Sequence, residues 1–147
     1  MNLGLLGASL VLGLTAIGAG LGIGACAQGA IGAWKKCFIT NKPAPMTLLV
    51  FAGFPLTQIF YAFILMGQIK PLAAAHPELG LFYLGFSVIA GVAIGVTAII
   101  QGKAGATACD ALCETGKGFA QYISVISISE PVALFTMVFT MISLQVV

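Results

Sequence analysis

The sequence predicts an all-α integral membrane protein with four transmembrane helices, and two observations carry that prediction. The 147 residues are 60% hydrophobic and only 7% charged, with a mean hydropathy of +1.11, whereas a soluble domain carries about 25% charged residues. The charges are also segregated. Lys35 to Lys42, Lys70 to Glu78 and Lys103 to Lys117 interrupt four nearly uncharged stretches, 3–34, 43–69, 79–102 and 118–147.

A helix needs about 20 mainly apolar residues to cross roughly 30 Å of hydrocarbon. Each stretch meets that length, which gives expected spans at about 3–34, 46–69, 79–102 and 119–147. No alternation of apolar and polar residues over about ten positions is present, which disfavours a membrane β-barrel. The first span begins at Met1-Asn2-Leu3 without a basic segment, so it is expected to stay in the mature chain and not to act as a cleaved signal peptide.

Loops rich in lysine stay on the cytoplasmic side. Loops 1 and 3 hold Lys35, Lys36, Lys42, Lys103 and Lys117, and loop 2 holds only Lys70. Loops 1 and 3 are therefore expected to be cytoplasmic, with both termini on the outer face of the cell membrane. A net charge of +2 gives no ground for a nucleic-acid partner, and the lysines serve topology and lipid headgroups instead.

Cys26 falls in the first span, and Cys37, Cys109 and Cys113 fall in the expected cytoplasmic loops, where thiols are normally reduced. Cys109 and Cys113 share one helical turn, but the single histidine, His76, lies in the opposite loop. A structural zinc needs four ligands, so no such site is expected.

A shift of 73 residues sets Thr57 beside Glu130 and brings Gly18 onto Gly91, Gly22 onto Gly95, Gln28 onto Gln101 and Gly29 onto Gly102. The chain reads as two tandem, duplicated helical hairpins, 1–72 and 73–147. Because each hairpin crosses twice, both copies have the same polarity, unlike the inverted repeats of many transporters. Glycine concentrates in the first helix of each hairpin. Gly18/Gly22, Gly20/Gly24 and Gly91/Gly95 form small-xxx-small faces that allow close backbone approach. Positions 18, 22 and 29 lie on a different side of the helix from 20 and 24, so two neighbours are expected, as in a ring of many copies.

Of the four acids, Glu78, Asp110 and Glu114 are expected in loops, and Glu130 alone lies within a span. An ionisable group at mid-bilayer costs at least about 2.5–3.5 kcal/mol, so an ion pathway is the default reading. No Lys or Arg occurs within the expected spans to neutralise it; the charge must be met by a bound cation, a proton or a partner protein. Thr57, Gln58 and Gln101 offer the oxygen ligands that a hard cation such as Na⁺ prefers, and Thr57, Gln58 and Tyr61 share one helical face. Each alone is also the common glue of membrane helices. Pro55 and Pro131 interrupt helix hydrogen bonding beside Thr57 and Glu130 and are expected to free the carbonyls of Phe51 and Ser127.

These residues resemble a known family. The Gly-rich first helix, Pro55-x-Thr57-Gln58-x-x-Tyr61, Gln101-Gly102-Lys103 at the end of the third helix, and Glu130 followed by an aliphatic run resemble the proteolipid K (c-type) rotor-ring subunit of V/A-type rotary ATPases over essentially the whole chain. In sodium-type members the ion is held by a backbone carbonyl, a Thr, two Gln and a Glu, with a Tyr hydroxyl locking the carboxylate. The resemblance implies those roles for Phe54 (carbonyl), Thr57, Gln58, Gln101, Glu130 and Tyr61. It implies Na⁺ as the transported ion, with H⁺ as the alternative, and no organic cofactor. Its implied partners are further copies of the chain in a ring, stator subunit a/I, and the central-stalk subunits. Leu56 stands where the sodium members have Gly, and Pro131 follows Glu130 directly. The chain lacks the Lys-Ser/Thr ending of a phosphate-binding loop, so ATP hydrolysis is expected elsewhere in such a complex. The rival reading is a four-helix cation-coupled drug antiporter, whose acid usually lies early among aromatic residues. Here the first span has neither an acid nor an aromatic before Trp34.

Overall fold

The structure, a computed structural model, describes residues 2–145. Met1 and the last two residues of the expected fourth span, 146 and 147, lie outside the described residues. The elements run α1 (Leu3–Ile39), α2 (Leu48–Gly53), a 3-10 turn (Phe54–Leu56), α3 (Thr57–Ala75), a second 3-10 turn (Pro77–Leu79), α4 (Gly80–Thr115), α5 (Phe119–Ser127) and α6 (Glu130–Leu144). They make four helical rods, each long and apolar enough to cross a membrane: Leu3–Ile39, Leu48–Ala75, Pro77–Thr115 and Phe119–Leu144. Large apolar side chains such as Ile17, Phe60, Ile89 and Phe139 point outward, which suits a body surrounded by lipid or by other apolar helices.

Caps explain where the rods begin and end. Asn2 caps α1 by accepting from the amides of Gly4 and Leu5, and its Nδ2 donates to the Ala73 carbonyl at 3.0 Å, tying the start of α1 to the end of α3. α4 stops at Gly116, whose φ of 65° is the left-handed cap conformation that glycine adopts without strain.

α1 and α4 form the central pair. Gly7 meets Leu84, Gly18 meets Gly95, Gly22 meets Ala98 and Gly102, and Gly29 meets Ala106. The contacts advance in the same order along both helices, so the two run parallel. At each point a Cβ would collide with backbone of the other helix; van der Waals contact of this closeness is what holds helices together where lipid removes the hydrophobic drive. Gly13, Gly20, Gly24 and Gly32 face the other way, with nothing within 4 Å of a Cβ built there.

Two expectations are corrected at the ends of these helices. α1 and α4 continue past the apolar stretches, so Cys37, Cys109, Cys113, Asp110 and Glu114 are helical and not in loops. The first charge marks where the apolar surroundings end, not where the helix ends. Lys36 bridges the two extensions, with its Nζ at 2.6 Å from Asp110 and 3.1 Å from Glu114. The second correction concerns the thiols. Cys37 and Cys113 are joined as a disulfide across α1 and α4, with their Cα atoms 6.5 Å apart, while Cys26 and Cys109 stay free and buried, their sulfurs 4.0 Å apart. Glu78 lies in the second 3-10 turn and receives the His76 ring at 3.1 Å.

Both prolines sit at interruptions. Pro55 opens a 3-10 turn between α2 and α3. Pro131 lies in the first turn of α6, where an N–H has no intrahelical partner to lose. The fourth rod is broken at Ile128–Ser129, and the Ser129 hydroxyl donates to the Ile126 carbonyl at 2.9 Å.

Candidate functional site

Most of the buried apolar residues fall into two clusters. One contains Val11, Ala62, Leu65, Ile94 and Ala133; the other contains Cys26, Phe51, Ala108 and Ile126. Between them lies a polar layer, where the interruptions of the second and fourth rods face the unbroken α4. α3 contributes Thr57, Gln58 and Tyr61, α4 contributes Thr97 and Gln101, and α6 contributes Glu130 as its first residue.

The Glu130 carboxyl group takes four hydrogen bonds. Oε1 accepts from Thr57 Oγ1 at 2.6 Å and from Gln101 Nε2 at 2.9 Å. Oε2 accepts from Tyr61 Oη at 3.0 Å and from Gln58 Nε2 at 3.3 Å. The position of Glu130 in the first turn of α6 also sets a negative charge beside the positive end of that helix. Among the described residues no lysine or histidine pairs with it. Gln58 and Gln101 are fully buried; Glu130 is partly exposed.

Thus all five side chains singled out in the sequence converge. The sixth candidate, the Phe54 carbonyl, accepts from the amide of Thr57 and from its Oγ1 at 2.8 Å. It therefore lies against the same hydroxyl that reaches Glu130. Gly22 permits this packing from the α1 side, since a Cβ there would lie 3.3 Å from Pro55 Cβ.

Sequence reasoning missed Thr97. Its Oγ1 is 3.1 Å from Gln58 Oε1 and 2.6 Å from the Ile94 carbonyl. The available signal was its place one helical turn before Gln101, on the same face of α4.

Chemically, the layer offers a carboxylate, two hydroxyls, two amides, a phenol and a backbone carbonyl inside an otherwise apolar body. Such a set stabilises one negative charge through donors. By turning its amides it also presents oxygens to a small hard cation. Burying a lone carboxylate without such partners costs several kcal/mol. No family profile and no curated protein matches the chain.

Proposed function

We propose that the chain is the ion-carrying rotor-ring (proteolipid) subunit of a V/A-type rotary ATPase or ATP synthase, moving Na⁺ on Glu130. The observation that carries this reading is a single carboxyl group between two apolar clusters, ringed by four donors and unaccompanied by a cationic side chain. A group so expensive to bury is kept for a charge that comes and goes.

Sodium is favoured over a proton by the ligand set. A proton needs the carboxyl group alone, whereas Thr57, Gln58, Gln101 and the Phe54 carbonyl add the oxygens that a dehydrated Na⁺ requires. In this reading Glu130 holds its ion while facing lipid. It releases the ion at stator subunit a/I, which offers a cationic group and a water path, and is refilled from the other side as the ring turns. The open glycine face of α1, with Gly20 and Gly24 unpacked, supports a second copy as its neighbour. Loops 1 and 3 then face the cytoplasm and the central-stalk subunits.

Carbodiimide labelling tests the reading, because the reagent attacks a protonated carboxyl group. Labelling of Glu130 should fall as Na⁺ is raised at constant pH and ionic strength, and K⁺ at equal concentration should protect much less. Labelling that follows pH and ignores Na⁺ would leave H⁺ as the carried ion.

A further inference from the structure

The amide of Gln58 is wholly buried and has a partner at every polar position. Nε2 donates to Gln101 Oε1 and to Glu130 Oε2, each at 3.3 Å. On the other arm, Oε1 accepts from Thr97 Oγ1 at 3.1 Å. Thr97 is itself only 6% exposed, and its hydroxyl has a second acceptor, the Ile94 carbonyl, at 2.6 Å. A hydroxyl has one hydrogen and two lone pairs. With its hydrogen on Gln58 it is a donor to the amide; with its hydrogen on Ile94 it turns a lone pair to the amide.

We propose that Thr97 is a positioning residue for ion binding, backing the Gln58 amide in either orientation so that its N–H groups face a lone carboxylate or its oxygen faces a bound Na⁺. The inference rests on the sodium-carrying reading above. Turning the amide over brings Gln58 Oε1 beside Glu130 Oε2 and Gln101 Oε1. Three oxygens converge there only if a cation sits among them. The turned Nε2 must then find an acceptor on the α4 side, and an unpaired buried N–H costs about 1–3 kcal/mol. Thr97 Oγ1 supplies that acceptor while its own hydrogen rests on Ile94. Thr57 is built the same way, with one hydroxyl between the Phe54 carbonyl and Glu130 Oε1. Each hydroxyl can release one acceptor without being left unpaired, so in both arrangements each polar atom of the Gln58 amide keeps at least one partner.

Valine keeps the shape of threonine and removes the hydroxyl. In Thr97→Val the amide loses its outer partner in both orientations. The loss falls harder on the turned one, because orphaned buried N–H groups are tolerated less than under-satisfied carbonyls. Sodium protection of Glu130 from carbodiimide should therefore need about tenfold more Na⁺ in Thr97→Val, the size of shift a loss within that range of energies produces. Thr97→Ser should restore the midpoint, and the valine variant should stay folded with the helical content of the parent. Should the valine variant fail to fold, Thr97→Ala carries the same comparison against serine. Equal midpoints in parent and valine variants, or a serine variant as weak as valine, overturn the role of Thr97 alone. Absence of sodium protection in the unsubstituted protein overturns both this role and the sodium reading.

Discussion

Thr57 Oγ1 and Glu130 Oε1 meet at 2.6 Å although they are 73 residues apart. They occupy the positions that the 73-residue shift sets beside each other, so residues at matching places in the two halves of the chain are in direct contact. One half brings the charge and the other a hydroxyl that receives it. The consequence is a site with one carboxyl group.

Under the proposed function, that arrangement predicts that Glu130 is the sole carboxyl group needed for transport. Glu130→Gln keeps the side-chain volume and removes the charge, so the protein should assemble normally yet bind no Na⁺ and support no ion-coupled ATPase activity. Glu78→Gln, Asp110→Asn and Glu114→Gln should retain transport, since those carboxyl groups stand at the exposed ends of the helices. Ion uptake into vesicles bearing the assembled complex decides this. Retained coupling in Glu130→Gln would remove the carboxyl group from the mechanism.

The amides should matter less than the carboxyl group but more than the phenol. Gln101→Ala removes a donor at 2.9 Å and leaves Gln58 Nε2 without one of its acceptors. A loss of about 1–3 kcal/mol, on the order of 5- to 150-fold in sodium affinity, is expected. Tyr61→Phe removes only a 3.0 Å bond at the partly exposed edge and should cost about 0.5–1.5 kcal/mol, roughly tenfold at most. Sodium titrations of carbodiimide labelling would rank the variants, and a reversed order would contradict the geometry.

Why these residues were legible in the sequence, and others not, follows from how rare each signal is. Glu130, Gln58 and Gln101 stand out because polar groups are costly in an apolar span. Pro55 and Pro131 announced the two interruptions because their ring removes an N–H. Thr97 did not stand out: a helical threonine ordinarily satisfies its hydroxyl on its own helix, as Thr97 also does on Ile94. The extensions of α1 and α4 are not legible in the sequence because Lys36, Asp110 and Glu114 carry the charge expected of a loop, whereas Lys36 pairs with both acids across two parallel helices. The Cys37–Cys113 pairing depends on both extensions and was hidden with them.

The glycine faces of α1 yield the last prediction, because they separate packing within one chain from packing between copies. Gly18 and Gly22 lie against the backbone of α4, so Gly18→Leu or Gly22→Leu must push the central pair apart. Overpacking of this kind costs about 1–3 kcal/mol or more, and both variants should unfold at lower temperature. Gly20 and Gly24 lie on the open side, with nothing within 4 Å of an added Cβ. Gly20→Leu should therefore leave the fold of the single chain intact, with its helical content and the Glu130 hydrogen bonds preserved. If that face receives a neighbouring copy in a closed ring, the same leucine blocks the close approach that small residues allow. Native mass spectrometry of the detergent-solubilised protein should then show a single high-order ring for the parent, and mainly dissociated chains for Gly20→Leu. A parent that runs as a monomer or antiparallel dimer would sink the ring and revive the antiporter. A ring that persists unchanged in Gly20→Leu would mean that copies meet through another face of the helices.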